Sequence, residues 1–329
     1  MPKEHSPLER SLYGIRYRIG EYCLRGFVFL LPCIPRSLLA LVTAAAARLT
    51  FVILWRYRKR MEKNISLAMG AEFSRPQTRK ATIRMAWRNF ARGIYETACA
   101  MTSSKEKICS MVAIQGEEYL RQALAKGKGV IALSAHLGNF TLLGARLAAA
   151  GYPFNVVVKQ PRDQRFARLI DDYRARVGIK TISAKPRREA ARQILKTLKG
   201  NQIVLVIADE FKSGGVEVEF LGQTAPAPRG PATLALRTGA GVLPMFLARD
   251  HRDRLTLQIG PEMKLIKTGN LQEDVAENVK LFTCQLENMV RRYPDQWNWL
   301  GFPKDGTRAA VPANNPQPIS PIESIGSKQ

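Results

Sequence analysis

The sequence predicts an α/β protein, an αβα sandwich around a mainly parallel sheet, preceded by an N-terminal membrane-associated helical region. Three observations carry this. Between residues 129 and 247 short apolar runs alternate with amphipathic helical patterns, as crossover connections between parallel strands require. One run, residues 129–134 (Gly-Val-Ile-Ala-Leu-Ser), is apolar without alternation, the pattern of a strand covered on both faces. Ahead of it, apolar segments flanked by arginine and lysine occupy the N-terminal region.

A chain of 329 residues is long for one domain and short for two enzymatic ones. The expected division is a basic, membrane-associated helical region over 1–67, an α/β domain over 68–303 and a disordered tail over 304–329. Hydrophobic residues make up 46% of the chain, enough to offset chain entropy with a sizeable core, which excludes a mainly disordered protein. Lys and Arg total 51 against 27 acidic residues, and this formal charge of +24 calls for an anionic partner. The cations are spread along the chain and accompany the apolar N-terminal segments. An anionic lipid membrane and an acidic carrier therefore fit better than nucleic acid, whose binders concentrate charge in a stripe. Cys23, Cys33, Cys99, Cys109 and Cys284 are odd in number and widely spaced, which argues against a disulfide framework and a zinc site and for a reducing compartment.

Taken in order, residues 1–26 are polar with scattered arginines, and 27–31 and 37–55 are apolar runs separated by Pro32 and Pro35. The pattern starts too late for a signal peptide and has no cleavage site, so retention is expected. The second run approaches the roughly 20 residues of a membrane span, but Arg48 near its middle would cost about 2.5–3.5 kcal/mol there. With Arg56, Arg58, Lys59 and Arg60 following, a shallow hairpin or tilted anchor with both flanks cytoplasmic is favoured. A buried helical layer stays open as the alternative. Pro76–Met101 reads as a long amphipathic helix, and 117–126 as another. After the strand at 129–134, helices over 139–149, 162–177 and 187–198 alternate with extended segments at 154–158, 180–182 and 202–208. Residues 217–220 read as an edge strand, 231–238 as a short helix and 241–247 as a buried strand, with the sheet ending near Leu255–Ile259. A last amphipathic helix spans 275–293, and 294–299 form a turn whose Trp297 and Trp299 are expected to close the core.

Only three histidines are available as a general base. His5 lies in the polar start and His251 in a charged turn, whereas His136 follows the C-terminal end of the 129–134 strand, where open α/β sheets place ligands. Gly138 permits close approach of backbone or substrate, and Asn139 is a good N-cap whose helix would present free amides to the site. A purely structural histidine at this strand end stays open on these grounds. There is no phosphate loop, dinucleotide fingerprint or nucleophile elbow, so no cofactor, metal or covalent enzyme intermediate is expected.

Several blocks also occur in a specific order: Lys63-Asn64-Ile65, residues 127–143 (GKGVIALSAHLGNFTLL), the segment 174–178, Ile207-Ala-Asp-Glu210, Phe220-Leu-Gly-Gln223, residues 230–239, Val242-Leu-Pro244 and residues 293–299. On these the chain, over residues 10–303, resembles the lipid A late acyltransferases, within the wider group of glycerolipid and lysophospholipid acyltransferases. The resemblance implies a membrane-bound O-acyltransferase on the cytoplasmic face of the bacterial inner membrane. Its donor would be an acyl-carrier protein or acyl-CoA thioester, and its acceptor a glycolipid such as a lipid A precursor, or a lysophospholipid. The family's histidine takes the proton of the acceptor hydroxyl, a role that falls on His136.

Members place an Asp or Glu five positions after that histidine, and here the position holds Thr141. The missing charge is then to be sought in Asp209 or Glu210 at another strand end, or the chain binds lipid or acyl carrier without turnover. Trp299-Leu-Gly-Phe302 also replaces the His and Arg residues that members often carry after their Trp. Gly138 and Asn139 would line the substrate site, and Lys159, Arg162, Arg174 and Arg229 would bind anionic substrate groups.

Overall fold

A computed structural model describes residues 7–70, 72–161, 163–211, 214–302 and 308–309. Helix α1 (Pro7–Leu30) packs on the α/β domain: Tyr17 meets Phe166 at 5.8 Å between ring centroids, and Val28 clusters with Leu169 and Tyr173. After a tight turn come α2 (Arg36–Ile53) and α3 (Trp55–Met69). Among the described residues α2 is the one helix long and apolar enough to cross a membrane by length and composition, and 6% of it is buried. Its inner side lies along α4 (Pro76–Met101), where Trp87 Nε1 donates to Thr50 Oγ1 at 3.1 Å and stacks edge-on against Phe51. Helix α3 turns into the protein, burying Met61, Ile65 and Met69, while the Asn64 amide donates to the Trp299 carbonyl at 2.6 Å.

The sheet region then runs α5 (Lys105–Met111), β1 (Val112–Gln115), α6 (Glu117–Ala125), β2 (Val130–Ser134), α7 (Phe140–Ala149), β3 (Phe154–Val158), α8 (Gln164–Arg176), β4 (Ile179–Ser183), α9 (Arg187–Lys199) and β5 (Ile203–Ile207). It continues with β6 (Val216–Phe220), β7 (Gln223–Ala227), α10 (Gly230–Thr238), β8 (Gly241–Arg249), β9 (Leu255–Ile259) and α11 (Leu271–Arg292), and Arg308–Ala309 add a short strand, β10. Seven strands form one sheet in the order β1-β9-β8-β2-β5-β3-β4, parallel throughout except where β9 runs against β8. Central β2 is buried at every residue. Its alternate side chains divide between two cores: Ile131 and Leu133 join α3, α9, α10 and α11, and Val130 and Ala132 join α5, α6 and α7. This is the αβα sandwich expected from the alternation.

The structure adds one strand and places another in a sheet of its own. Residues 217–220 belong to β6, an edge strand as expected, but of a separate sheet in which it pairs with β7 and β10 adds to β7. In chain order β9 is the last strand of the main sheet, as expected, and β1, too short to show a pattern in sequence, pairs beside it in parallel register. The start at 7–26 is helical, within the helical region expected over 1–67. The segment 304–329, expected to be disordered, lies outside the described residues apart from Arg308 and Ala309, and so do His5 and Arg162.

Candidate active site

The site is assembled by strand register. In the parallel pair β2 and β5, Ser134 stands opposite Ile207. His136 and Asp209 each follow two residues later, so both leave the same sheet edge side by side. The Asp209 carboxylate is buried and accepts from three directions. His136 Nδ1 lies 2.8 Å from Oδ1, and Oδ2 takes the His136 backbone amide and Trp297 Nε1, each at 2.8 Å. The carboxylate side chain is 2% exposed and the imidazole 30%, so one member of the pair is enclosed and the other reaches the surface. With Asp209 accepting, the imidazole carries its proton on Nδ1, which makes Nε2 the ring's acceptor nitrogen.

The turn after α11 clamps this pair. Leu137 and Trp297 form an isolated antiparallel bridge, Asn298 N donates to the His136 carbonyl at 3.1 Å, and Gly138 N donates to the Gln296 carbonyl at 2.8 Å. Trp297 sits in an aromatic cluster with Phe220, Trp299 and Phe302. It was expected to close the core and it does so, but it also orients the buried carboxylate, a role sequence reasoning did not supply.

Gly138 is required by geometry. Its φ is +60°, and a Cβ there would stand 1.9 Å from the Leu247 carbonyl oxygen of β8. Asn139 is the N-cap of α7, its Oδ1 accepting from Leu142 N at 3.0 Å, but its side chain is otherwise committed to α4. The amide group donates to the Gly93 carbonyl at 3.1 Å and to Glu96 at 3.3 Å, and Oδ1 also accepts from Thr97 at 3.2 Å. Buried Glu96 in turn pairs with Arg249 at the end of β8. Asn139 is therefore a buried strut between the His136 loop and α4.

Thr141 is exposed on the second residue of α7, while the His136 ring contacts Phe140 edge-on at 5.2 Å between centroids. Glu210 follows Asp209 and is half-buried. Lys159 is exposed just beyond β3, on the sheet edge that carries His136, and Arg229 is exposed at the start of α10. Arg174 lies in the last turn of α8, paired with Asp171 at 2.9 Å, where the crossover has returned toward the strands' opposite edge. The fold thus brings His136, Asp209 and Gly138 together and separates Arg174 from them.

The family model for the bacterial lipid A biosynthesis acyltransferases matches residues 10–301. The chain is 31% identical over 205 residues to the phosphatidylinositol mannoside acyltransferase of Mycobacterium tuberculosis (strain ATCC 25618 / H37Rv), a match covering 60% of this chain and 63% of that protein. It is 24% identical over 201 residues to the protein of that name in Mycolicibacterium smegmatis, covering 59% and 64%. A lipid A biosynthesis acyltransferase of Haemophilus influenzae is 24% identical over 200 residues, covering 60% of each chain. The matched region thus spans less than two thirds of the length of these curated relatives. A match that runs from α1 to the Trp297–Trp299 turn takes in both halves of the His136 and Asp209 pair, and by it the chain belongs to the bacterial lipid A biosynthesis acyltransferase family.

Proposed function

We propose that the protein is a membrane-bound O-acyltransferase that moves a fatty acyl group from an acyl-carrier protein or acyl-CoA thioester to a hydroxyl of a glycolipid or lysophospholipid. The observation that carries this is the 2.8 Å contact between His136 Nδ1 and the buried Asp209 carboxylate at the ends of adjacent parallel strands. His136 Nε2 takes the acceptor's proton as its oxygen attacks the thioester carbonyl. The tetrahedral intermediate then collapses, the carbon–sulfur bond breaks, and the departing thiolate takes that proton from the imidazolium, which Asp209 stabilises without being protonated itself.

The developing oxyanion needs donors. The amides of Gly138, Asn139 and Leu142 are occupied within the fold, which leaves, among the described residues, those of Phe140 and Thr141 at the start of α7. Thr141 then serves through its backbone, and Asp209 supplies the charge that members carry at its position. The exposed apolar residues of α2, followed by the basic start of α3, would hold the protein on an anionic bilayer, at the cytoplasmic face of a bacterial inner membrane.

The test is acyl transfer from labelled acyl-carrier protein or acyl-CoA to a glycolipid acceptor in membranes. His136→Ala is expected to abolish turnover. Asp209→Asn is expected to lower kcat by up to about 10⁴-fold, the scale on which a triad carboxylate acts. Turnover that survives both substitutions removes the pair from the mechanism, and absence of turnover in the natural protein favours lipid or carrier binding without catalysis.

A further inference from the structure

A chain of buried polar groups ends on the His136 loop and takes no part in the proton transfers. It starts at Arg249, the last residue of β8, and reaches the loop by two arms. One arm runs through backbone: Arg249 N donates to Gln296 Oε1 and Gln296 Nε2 donates to the Arg249 carbonyl, each at 2.8 Å, while the Gln296 carbonyl takes Gly138 N. The other arm is charged. The Arg249 guanidinium holds one oxygen of Glu96, and the second oxygen accepts from the Asn139 side-chain amide at 3.3 Å. Glu96 and Asn139 are each 7% exposed.

A buried ion pair is a poor way to brace a helix, since well-packed apolar side chains of similar volume often hold such positions as well or better. What Glu96 supplies and an apolar side chain lacks is polarity. A carboxylate only accepts, so the Asn139 NH2 is drawn toward α4, where the Gly93 carbonyl also takes it at 3.1 Å. Asn139 Oδ1 is thereby turned to Leu142 N at 3.0 Å, and Thr97 Oγ1 donates to the same oxygen at 3.2 Å. Were the amide reversed, its NH2 would face the Leu142 N–H and its oxygen a carboxylate and a carbonyl. The first turn of α7 would lose its cap, and with it the fixed direction of the Phe140 and Thr141 amides.

We propose that Glu96 is a positioning residue for acyl transfer: acting through the Asn139 amide, it sets the direction in which Phe140 N and Thr141 N meet the oxyanion of the tetrahedral intermediate. The proposal rests on the acyl-transfer reading above and adds to it a charged residue of α4. Because the Gly138 arm runs through backbone, a change at Glu96 leaves the His136 and Asp209 pair in place, and the loss falls on the oxyanion.

Two double variants isolate the polarity. Arg249→Met/Glu96→Leu and Arg249→Met/Glu96→Gln both remove the two charges together, so neither is stranded, and they differ in whether position 96 can accept from Asn139. The probes are a hexadecanoyl ketone analogue of the thioester, with CH2 between carbonyl and sulfur, and its α,α-difluoro form, which adds a hydroxyl to become a tetrahedral oxyanion. Each is carried on coenzyme A or acyl-carrier protein, whichever supports turnover. The natural protein is expected to bind the difluoro ketone more tightly than the plain one. The Met/Leu variant should lose about tenfold both in kcat and in that preference, the scale of one buried hydrogen bond. Its donor KM, its affinity for the plain ketone and the shape of its pH profile should stay unchanged. The Met/Gln variant should return kcat and preference to within about threefold of the natural protein. Circular dichroism and the unfolding midpoint check that both variants are folded. Equal kcat and preference in the two folded variants, a kcat loss with the preference unchanged, or no preference in the natural protein although its turnover requires His136, overturns the positioning role. Turnover that survives His136→Ala strikes the acyl-transfer reading of the site, and this proposal with it.

Discussion

At the residue scale three replacements around the site should separate cleanly. Trp297→Phe keeps the aromatic volume but removes the donor to Asp209 Oδ2. A hydrogen bond to a charged group is worth about 1.5–3 kcal/mol, so kcat is expected to fall by about 10- to 100-fold with the acceptor KM little changed. Gly138→Ala forces a side chain into the Leu247 carbonyl at a positive φ, and urea unfolding should show a loss of at least about 2 kcal/mol together with loss of activity. Thr141→Ala removes an exposed hydroxyl and keeps the amide, so its specific activity should stay within about twofold of the natural protein. His136 and Gly138 were legible in the sequence because one is a lone histidine after a buried strand and the other a glycine in the same loop. Asp209 could be named only beside Glu210 as an alternative: choosing between them needs the register of β2 on β5, which is a long-range fact. Trp297 had no local signal, since a tryptophan that fills a core and one that orients a carboxylate look alike in sequence.

At the element scale α4 is the brace of the site. Its Gly93, Glu96 and Thr97 grip Asn139, and Glu96 is joined to Arg249 with both side chains about nine-tenths buried. Removing one partner of a buried ion pair strands the other, at a cost of about 3–5 kcal/mol. Arg249→Met should therefore destabilise far more in urea unfolding than the double change Arg249→Met/Glu96→Gln. Helix α11 carries a different dependence. Asp274 in its first turn accepts from Thr268 N and Oγ1, and the backbone hydrogen bond above all holds its carboxyl below the ordinary 3.8. A carboxyl whose folded value is depressed contributes stability above its unfolded value and loses it as the pH falls through the folded one. Thermal unfolding below pH 3.8 should thus be less steeply acid-dependent in Asp274→Asn than in the natural protein. Long elements with a clear apolar period, α4 and α11 among them, were visible in the sequence. Element β1 was not, because four residues are too few to show alternation.

For the whole molecule, charge and apolar exposure converge on the N-terminal helices. Leu41 and Leu49 of α2 are 63% and 61% exposed, while Arg56, Arg58 and Lys59 crowd the start of α3. On the membrane reading, sedimentation with vesicles containing anionic lipid should weaken as salt rises, since surface attraction is screened within about 10 Å at 0.1 M. Leu41→Asp/Leu49→Asp should reduce binding without lowering the unfolding midpoint, because neither side chain packs in the core. Vesicle binding that is indifferent to both would detach α2 from the bilayer. The composition made the anionic partner legible, but which side of α2 is covered was not, because that depends on its seating against Trp87.

The juxtaposition of two strand ends has a wider meaning for how such sites are recognised and how they change. A carboxylate reached through sheet register has no fixed distance in sequence from its histidine, so the connection between β2 and β5 can lengthen or shorten while the pair stays intact. A one-residue insertion inside either strand, by contrast, turns one partner to the other face and dissolves the pair although both of its residues remain. A search by spacing would reject this chain at Thr141, whereas a search for an acid and a histidine at matched offsets from neighbouring parallel strands would retain it.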